Sequence, residues 1–122
     1  MRFKYEDLEI WRLSMDLIVV IYKIVENFPV EERFALSSQG RRAVTSISLN
    51  IAEGAGRHSY KDFANFLNRA ITSLQEVDTI LKIAFRLNYI DLNNCNLKIA
   101  NELIEKIYFK TIAFRKSIVN NY

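Results

Sequence analysis

Between Ser37 and Gly56 the chain nearly runs out of large side chains. The stretch SSQGRRAVTSISLNIAEGAG holds Ser37, Ser38, Gly40, Ala43, Thr45, Ser46, Ser48, Ala52 and Ala55, while the segments around it carry large apolar residues at helical spacing. At 100° per residue, Gly40, Ala43, Val44, Ile47, Ile51 and Ala55 share one helical face. Thr45, Ser48 and Ala52 share a second, and Ser46, Asn50, Glu53 and Arg57 a third. Small residues on several sides let other helices approach closely, so the pattern predicts a central helix with neighbours on more than one side. Gly54 and Gly56 are expected to end it, because glycine takes the left-handed C-cap conformation without a Cβ clash.

The remaining segments fix the architecture. One proline and three glycines in 122 residues leave little room for sheets joined by tight turns, and half the residues are hydrophobic. A first helix is expected from about Leu8, capped by Asp7, to Phe28, where Pro29 stops it. Its seam is Leu8, Trp11, Met15, Ile18, Tyr22 and Val25, flanked by a stripe of Ile10, Leu13, Leu17, Ile21, Ile24 and Phe28. Val30 to Leu36 reads as a polar connection, with Glu31, Glu32 and Arg33 solvated and room for one helical turn. A third helix runs from about Tyr60 to Leu87 on the seam Phe63, Leu67, Ala70, Leu74, Val77, Leu81 and Ala84, with Ser59 and Asp62 forming a capping box. Asn88 is expected to cap its end and Asp91 to start a fourth helix, about Leu92 to Val119. The fourth seam is Leu97, Ala100, Ile104, Ile107, Thr111, Phe114 and Ile118. Short connections favour antiparallel neighbours, so residues 1–122 are expected to form one all-α domain, an antiparallel up-down-up-down four-helix bundle. Helices one and three carry more apolar surface than one groove covers, and Leu49 sits amid polar residues. Both features predict a homo-oligomer.

The small-residue stretch also carries a resemblance. Ser37-Ser38-Gln39-Gly40-Arg41-Arg42-Ala43, then Ser46-Ile47-Ser48-Leu49-Asn50-Ile51-Ala52-Glu53-Gly54 and Arg57, resemble the signature of the four-helix-bundle family encoded in intervening sequences of bacterial 23S rRNA genes. The accessory variability protein of diversity-generating retroelements is a relative of that family. Leu8, Trp11, Phe28-Pro29, Phe63, Phe66-Leu67, Ala70, Ser73 and Glu76 extend the likeness, which covers roughly Tyr5 to Tyr89. Ser48 stands where the family often has proline, and Thr72 where it often has glycine. The resemblance implies a closed ring of five subunits; periodicity alone gives no such number. It also implies a nucleic acid or a nucleic-acid-processing protein as partner.

Catalytic chemistry finds few candidates. There is one histidine, His58, and one cysteine, Cys95, which excludes an intramolecular disulfide. No Glu-x-x-His pair, zinc-ligand cluster or glycine-rich phosphate loop occurs. The Arg-then-His spacing of small helical RNases is absent, since Ile51, Ala52 and Glu53 precede His58. The expectation is a protein that is not an enzyme and uses no metal and no cofactor. The N-terminal residues are too acidic for a signal peptide and no apolar run spans a membrane, so a cytoplasmic location with no membrane partner is expected.

The polar residues offer two readings. Asn50, Glu53 and Arg57 share a helical face at three- and four-residue steps. They form either a polar site or, as favoured, a structural polar lock in which Glu53 pairs with Arg57 and Asn50 bonds backbone at a helix crossing; Arg69 is a second candidate partner for Glu53. The chain carries a net +3. From Arg33 to Arg69, six cations stand against two carboxylates, a local +4, so the remainder sums to −1. The candidate nucleic-acid-binding residues are Arg41, Arg42, Arg57, His58, Lys61, Lys110, Arg115 and Lys116. Most of them, with Arg2 and Lys4, are expected to gather at the end holding the turn between helices two and three. A ring would multiply that charge into an extended positive field for RNA, unless Glu6, Asp7, Glu9 and Asp62 cancel it. The alternative function is a protein–protein interaction scaffold with no nucleic-acid role.

Overall fold

Apolar residues at three- and four-residue steps can bury a stripe only by pairing helices, and the chain does so four times. The structure, a computed structural model, describes residues 1–120. It contains α1 (Glu9–Glu26), α2 (Leu36–Ala55), α3 (Tyr60–Arg86) and α4 (Cys95–Asn120). Two 3-10 turns, Lys4–Asp7 and Val30–Glu32, precede α1 and α2. Each helix packs against two others, α1 and α3 both lying between α2 and α4. Pairs across the bundle fix the directions. Glu9 meets Lys110, the Phe63 ring meets Phe114, Ser46 meets Ser73, and Gly40 lies against Val25 and Ile80. All neighbours are therefore antiparallel, as the connection lengths predict.

Leu17, Ile24, Val44, Ile47, Ile51, Leu67, Ala84 and Ala100 are fully buried. Burying one such leucine or isoleucine is worth about 1.5–3 kcal/mol. The third and fourth seams lie inward as expected, with Phe63, Ile104 and Phe114 only half-buried. Helix α1 departs in part from its expected assignment, keeping Val25 buried and Leu8, Trp11 and Ile18 packed against the core. The core takes Ile10, Leu17, Ile21, Ile24 and Phe28 from the flanking stripe, while Met15 and Tyr22 of the expected seam are exposed beside Val19. Helix α2 touches α1 on one side and α3 on the other, and its third side, with Leu49, faces outward.

The helix ends correct several expectations. Gly54 lies inside α2, and Gly56 has φ −86°, so neither takes the left-handed conformation. Gly54 instead permits a close crossing: a Cβ there would stand 2.7 Å from Phe66 Cβ and 2.9 Å from Phe63 Cδ1. Asp7 does not cap α1, which starts after Leu8 with no side-chain cap; its carboxylate is taken by arginines. Ser59 caps α3 by accepting from Asp62 N at 3.1 Å. Asn88, at φ 62°, ends α3 in a Schellman arrangement, with Asn88 N–H on Phe85 O and Tyr89 N–H on Ala84 O. Asp91 caps only a turn, through Asn93 N, and Asn94 starts α4 by accepting from Leu97 N. Glu32, expected in solvent, is half-buried: Oε1 accepts from Leu36 N at 3.3 Å and Oε2 from the Tyr89 hydroxyl at 2.8 Å.

Candidate nucleic-acid interface

The bundle has a turn end, holding the α2–α3 turn with the start of α1 and the finish of α4, and a loop end, holding the other two connections. Arg57 and His58 lie in the α2–α3 turn and Lys61 in the first turn of α3, and all three are exposed. Their placement follows from Gly54, which draws α2 onto Phe63 and Phe66 just before the chain reverses. The N-terminal 3-10 turn lies opposite. Between the two opens a cleft of about 490 Å³, lined by Lys4, Asp7, Arg57, His58, Ser59 and Phe63 among others.

Arg57 is held twice. Its Nη2 donates to Glu53 Oε1 at 2.8 Å, an exposed i,i+4 pair worth about 0.3–0.5 kcal/mol. Its guanidinium also lies 4.6 Å from the centre of the buried Phe66 ring. Arg69, once a candidate partner for Glu53, lies 4.6 Å from the same ring. Asn50 turns elsewhere: its Nδ2 donates to the Ser46 carbonyl at 2.8 Å and to Ser46 Oγ at 3.0 Å, and Ser46 Oγ meets Ser73 Oγ at 2.9 Å across the α2–α3 contact. The three residues of the polar lock thus serve two arrangements, an ion pair at the surface and a hydroxyl–amide cluster between helices.

Other cations at the turn end are engaged. Lys110 Nζ pairs with Glu9 Oε1 at 2.6 Å, and the Lys110 hydrogen bond, then its charge, hold the Glu9 carboxyl below the usual range. Arg115 Nη1 donates to Asn68 Oδ1 at 3.0 Å, tying α4 to α3, while its Nε is buried with no partner. Arg2 and Arg12 both reach Asp7 Oδ1. Lys4, His58, Lys61 and Lys116 make no ion pair among the described residues.

Arg41 and Arg42 are not part of this cluster. They lie on the first turns of α2, roughly 22–24 Å from Arg57 at 1.5 Å per residue. Arg41 leans toward the Arg33 carbonyl and lines a separate groove at the loop end with Arg33, Phe28 and Pro29. Sequence reasoning missed Arg12; its first pairing, Glu53 with Arg57, stands, and its second candidate partner, Arg69, rests on Phe66 instead. The three-residue step from Phe66 to Arg69 was a usable signal; nothing in the sequence announced that Arg57 would join them across the turn. Among the described residues no group of three or more His, Cys, Asp or Glu side chains could hold a metal ion, and no helix is long and apolar enough to cross a membrane.

Comparisons with known proteins follow the same lines. A crystal structure of a protein of unknown function from the S23 ribosomal protein family of Bacteroides thetaiotaomicron VPI-5482 is similar, with 28% sequence identity and a TM-score of 0.60. The match covers 91% of this chain and 95% of that one. No curated protein matches. Residues 6–110 match the family described as 23S rRNA-intervening sequence protein. The chain belongs to the 23S rRNA-intervening sequence protein family.

Proposed function

We propose that this protein is a non-catalytic, homo-oligomeric helical bundle that binds RNA, or an RNA–protein complex, through its turn end. The observation that carries the reading is the cleft beside Arg57, where cations from two separate segments line one concavity and Lys61 lies within a turn of it. Phosphate contacts of this kind add up and fall steeply with salt. The family name and the S23 ribosomal name of the similar structure support an RNA partner.

The outward apolar surface supports self-association. Met15, Val19 and Tyr22 extend outward from the edge of α1 that meets α2 at Val25 and Gly40, and Leu49 on α2 is 66% exposed. An apolar strip of this sort is a frequent contact surface, and the family resemblance makes five copies the expected number. The same strip favours the second reading, a protein-interaction scaffold without RNA.

Arg57→Glu combined with Lys61→Glu should weaken retention of RNA at low salt by about tenfold or more, with the oligomer mass by light scattering unchanged. Unaltered retention removes this surface from the reading. Absence of any mobility shift with RNA, even at low salt, favours the scaffold, and degradation of RNA by pure protein with or without magnesium contradicts the non-catalytic assignment.

A further inference from the structure

Two further cations, Arg2 and Arg12, do not line the cleft themselves but converge on Asp7, which does. Arg2 Nη2 donates to Asp7 Oδ1, and Arg12 Nη2 reaches the same oxygen at 3.5 Å. Asp7 also lines the cleft with Lys4 and Arg57. One carboxylate oxygen therefore lies where two guanidinium groups converge, at the rim of a basic concavity. That is the arrangement in which a phosphate oxygen is commonly held, since guanidinium forks match carboxylate and phosphate alike.

Asp7 is not placed there by the arginines alone. The 3-10 turn is closed by its own bonds: Phe3 N–H donates to Glu6 Oε2 at 2.7 Å, and Leu8 N–H to the Tyr5 carbonyl at 3.0 Å. The Tyr5 ring packs edge-on against Trp11, 5.1 Å between centres. Arg12 is steered separately, its Nε donating to the Glu6 carbonyl at 2.8 Å. The turn thus keeps its shape whether or not the two guanidiniums stay on Asp7. Their hydrogen bonds and charges hold the Asp7 carboxyl below its ordinary range, the Arg2 hydrogen bond foremost.

We propose that Asp7 is an internal stand-in for a backbone phosphate: it occupies the Arg2–Arg12 fork in the free protein, and RNA entering the cleft displaces it and takes both guanidiniums. This rests on the RNA-binding reading above and adds two contact residues and a built-in brake. The exchange is feasible because all three side chains are more than half exposed, and exposed ion pairs contribute little net stability. It also has a signature. A displaced carboxylate gathers about one counterion again, so while Asp7 is present the two arginines count in the salt dependence as about one phosphate contact. Without Asp7 they contribute as two ordinary phosphate contacts.

The test measures binding of a fluorescent 20-nucleotide single-stranded RNA to the full chain across a salt series. Asp7→Asn should bind about tenfold tighter than the original at low salt, and its log–log salt slope should steepen by about 0.7, one single-strand contact's worth. Asp7→Ala should behave alike, which guards against an effect of the asparagine itself. Asp78→Asn, which frees Lys82 on the far half of α3, makes the same change in net charge and should leave both quantities near the original. Adding Arg2→Gln and Arg12→Gln to Asp7→Asn should abolish the gain. An Asp7→Asn protein no different from Asp78→Asn, or a gain that survives loss of both arginines, overturns the stand-in while the RNA-binding reading survives. RNA binding by none of the variants at any salt overturns both.

Discussion

At the loop end one carboxylate does most of the joining. Glu32 caps the start of α2 with one oxygen and accepts the Tyr89 hydroxyl with the other, and the Tyr89 ring lies against Phe28, 5.6 Å between centres. At the turn end α2 meets α3 through backbone closeness at Gly54 and Arg115 ties α4 to α3, while other charged side chains stay outside, in pairs such as Glu9–Lys110 and Glu53–Arg57. The loop end spends its polar groups on holding the bundle together. The turn end is closed by a missing side chain instead, which leaves its cations at the surface. A single small bundle can thus be closed at its two ends by different means.

The two glycines of α2 give the largest test of this contrast. Gly54→Ala forces a methyl against the Phe66 Cβ, which cannot swing aside, and should cost about 2 kcal/mol despite the roughly 1 kcal/mol by which alanine favours a helix. Gly40→Ala meets the tip of Val25 at 3.0 Å and Ile80 at 3.7 Å, and should stay within about 1 kcal/mol of the original in urea unfolding. Equal losses at both sites would erase the distinction between the ends. A smaller effect is expected from Tyr89→Phe, which removes only the bond to Glu32. Its loss should be a fraction of that of Gly54→Ala, and amide exchange should quicken around Leu36–Gly40 while residues 51–66 keep their protection.

The smallest effects are in pH, and they run in opposite directions. Glu9 has its carboxyl depressed by the Lys110 hydrogen bond, so its contribution is present above the ordinary carboxylate range and is lost as pH falls through the depressed value. Tyr89 has its hydroxyl raised, first by the bond to Glu32, so its contribution is present below about pH 10 and is lost as pH rises through the raised value. The stability difference between the original and Glu9→Gln should therefore vanish in acid, and that between the original and Tyr89→Phe in alkali. A difference that persists in either limit would detach that residue from its end.

How much of this was legible varied with the range of the interaction. Helix α3 was readable almost to the residue because its signals are local: Ser59 caps, Asn88 takes the left-handed turn, and the seam between them is continuous. Helix α1 was partly misassigned because both of its stripes are apolar, and periodicity defines faces without saying which neighbour each will meet. Asp91, Asn93 and Asn94 are all capable caps, so the start of α4 was ambiguous by composition. Glu32 looked solvated because its partner, Tyr89, lies 57 residues away. Of the candidate site, Arg57, His58 and Lys61 stayed together because they fall within five residues, whereas Arg41 and Arg42 were separated from them by the length of α2. Gly54 was recognised as special for the wrong reason, since a turn glycine and a crossing glycine look alike until the second helix is in place.

Phe66 carries one more implication. A carboxylate that positions an arginine also neutralises it; an aromatic ring positions it and leaves the charge whole. Arg57 and Arg69 both rest over this ring, and stacking occupies the flat of a guanidinium while its N–H edge stays free to donate. The ring itself discharges nothing: Arg69 rests on it with no ion pair among the described residues, whereas Arg57 rests on it and also pairs with Glu53, so of two neighbouring guanidiniums oriented in advance one keeps its charge whole.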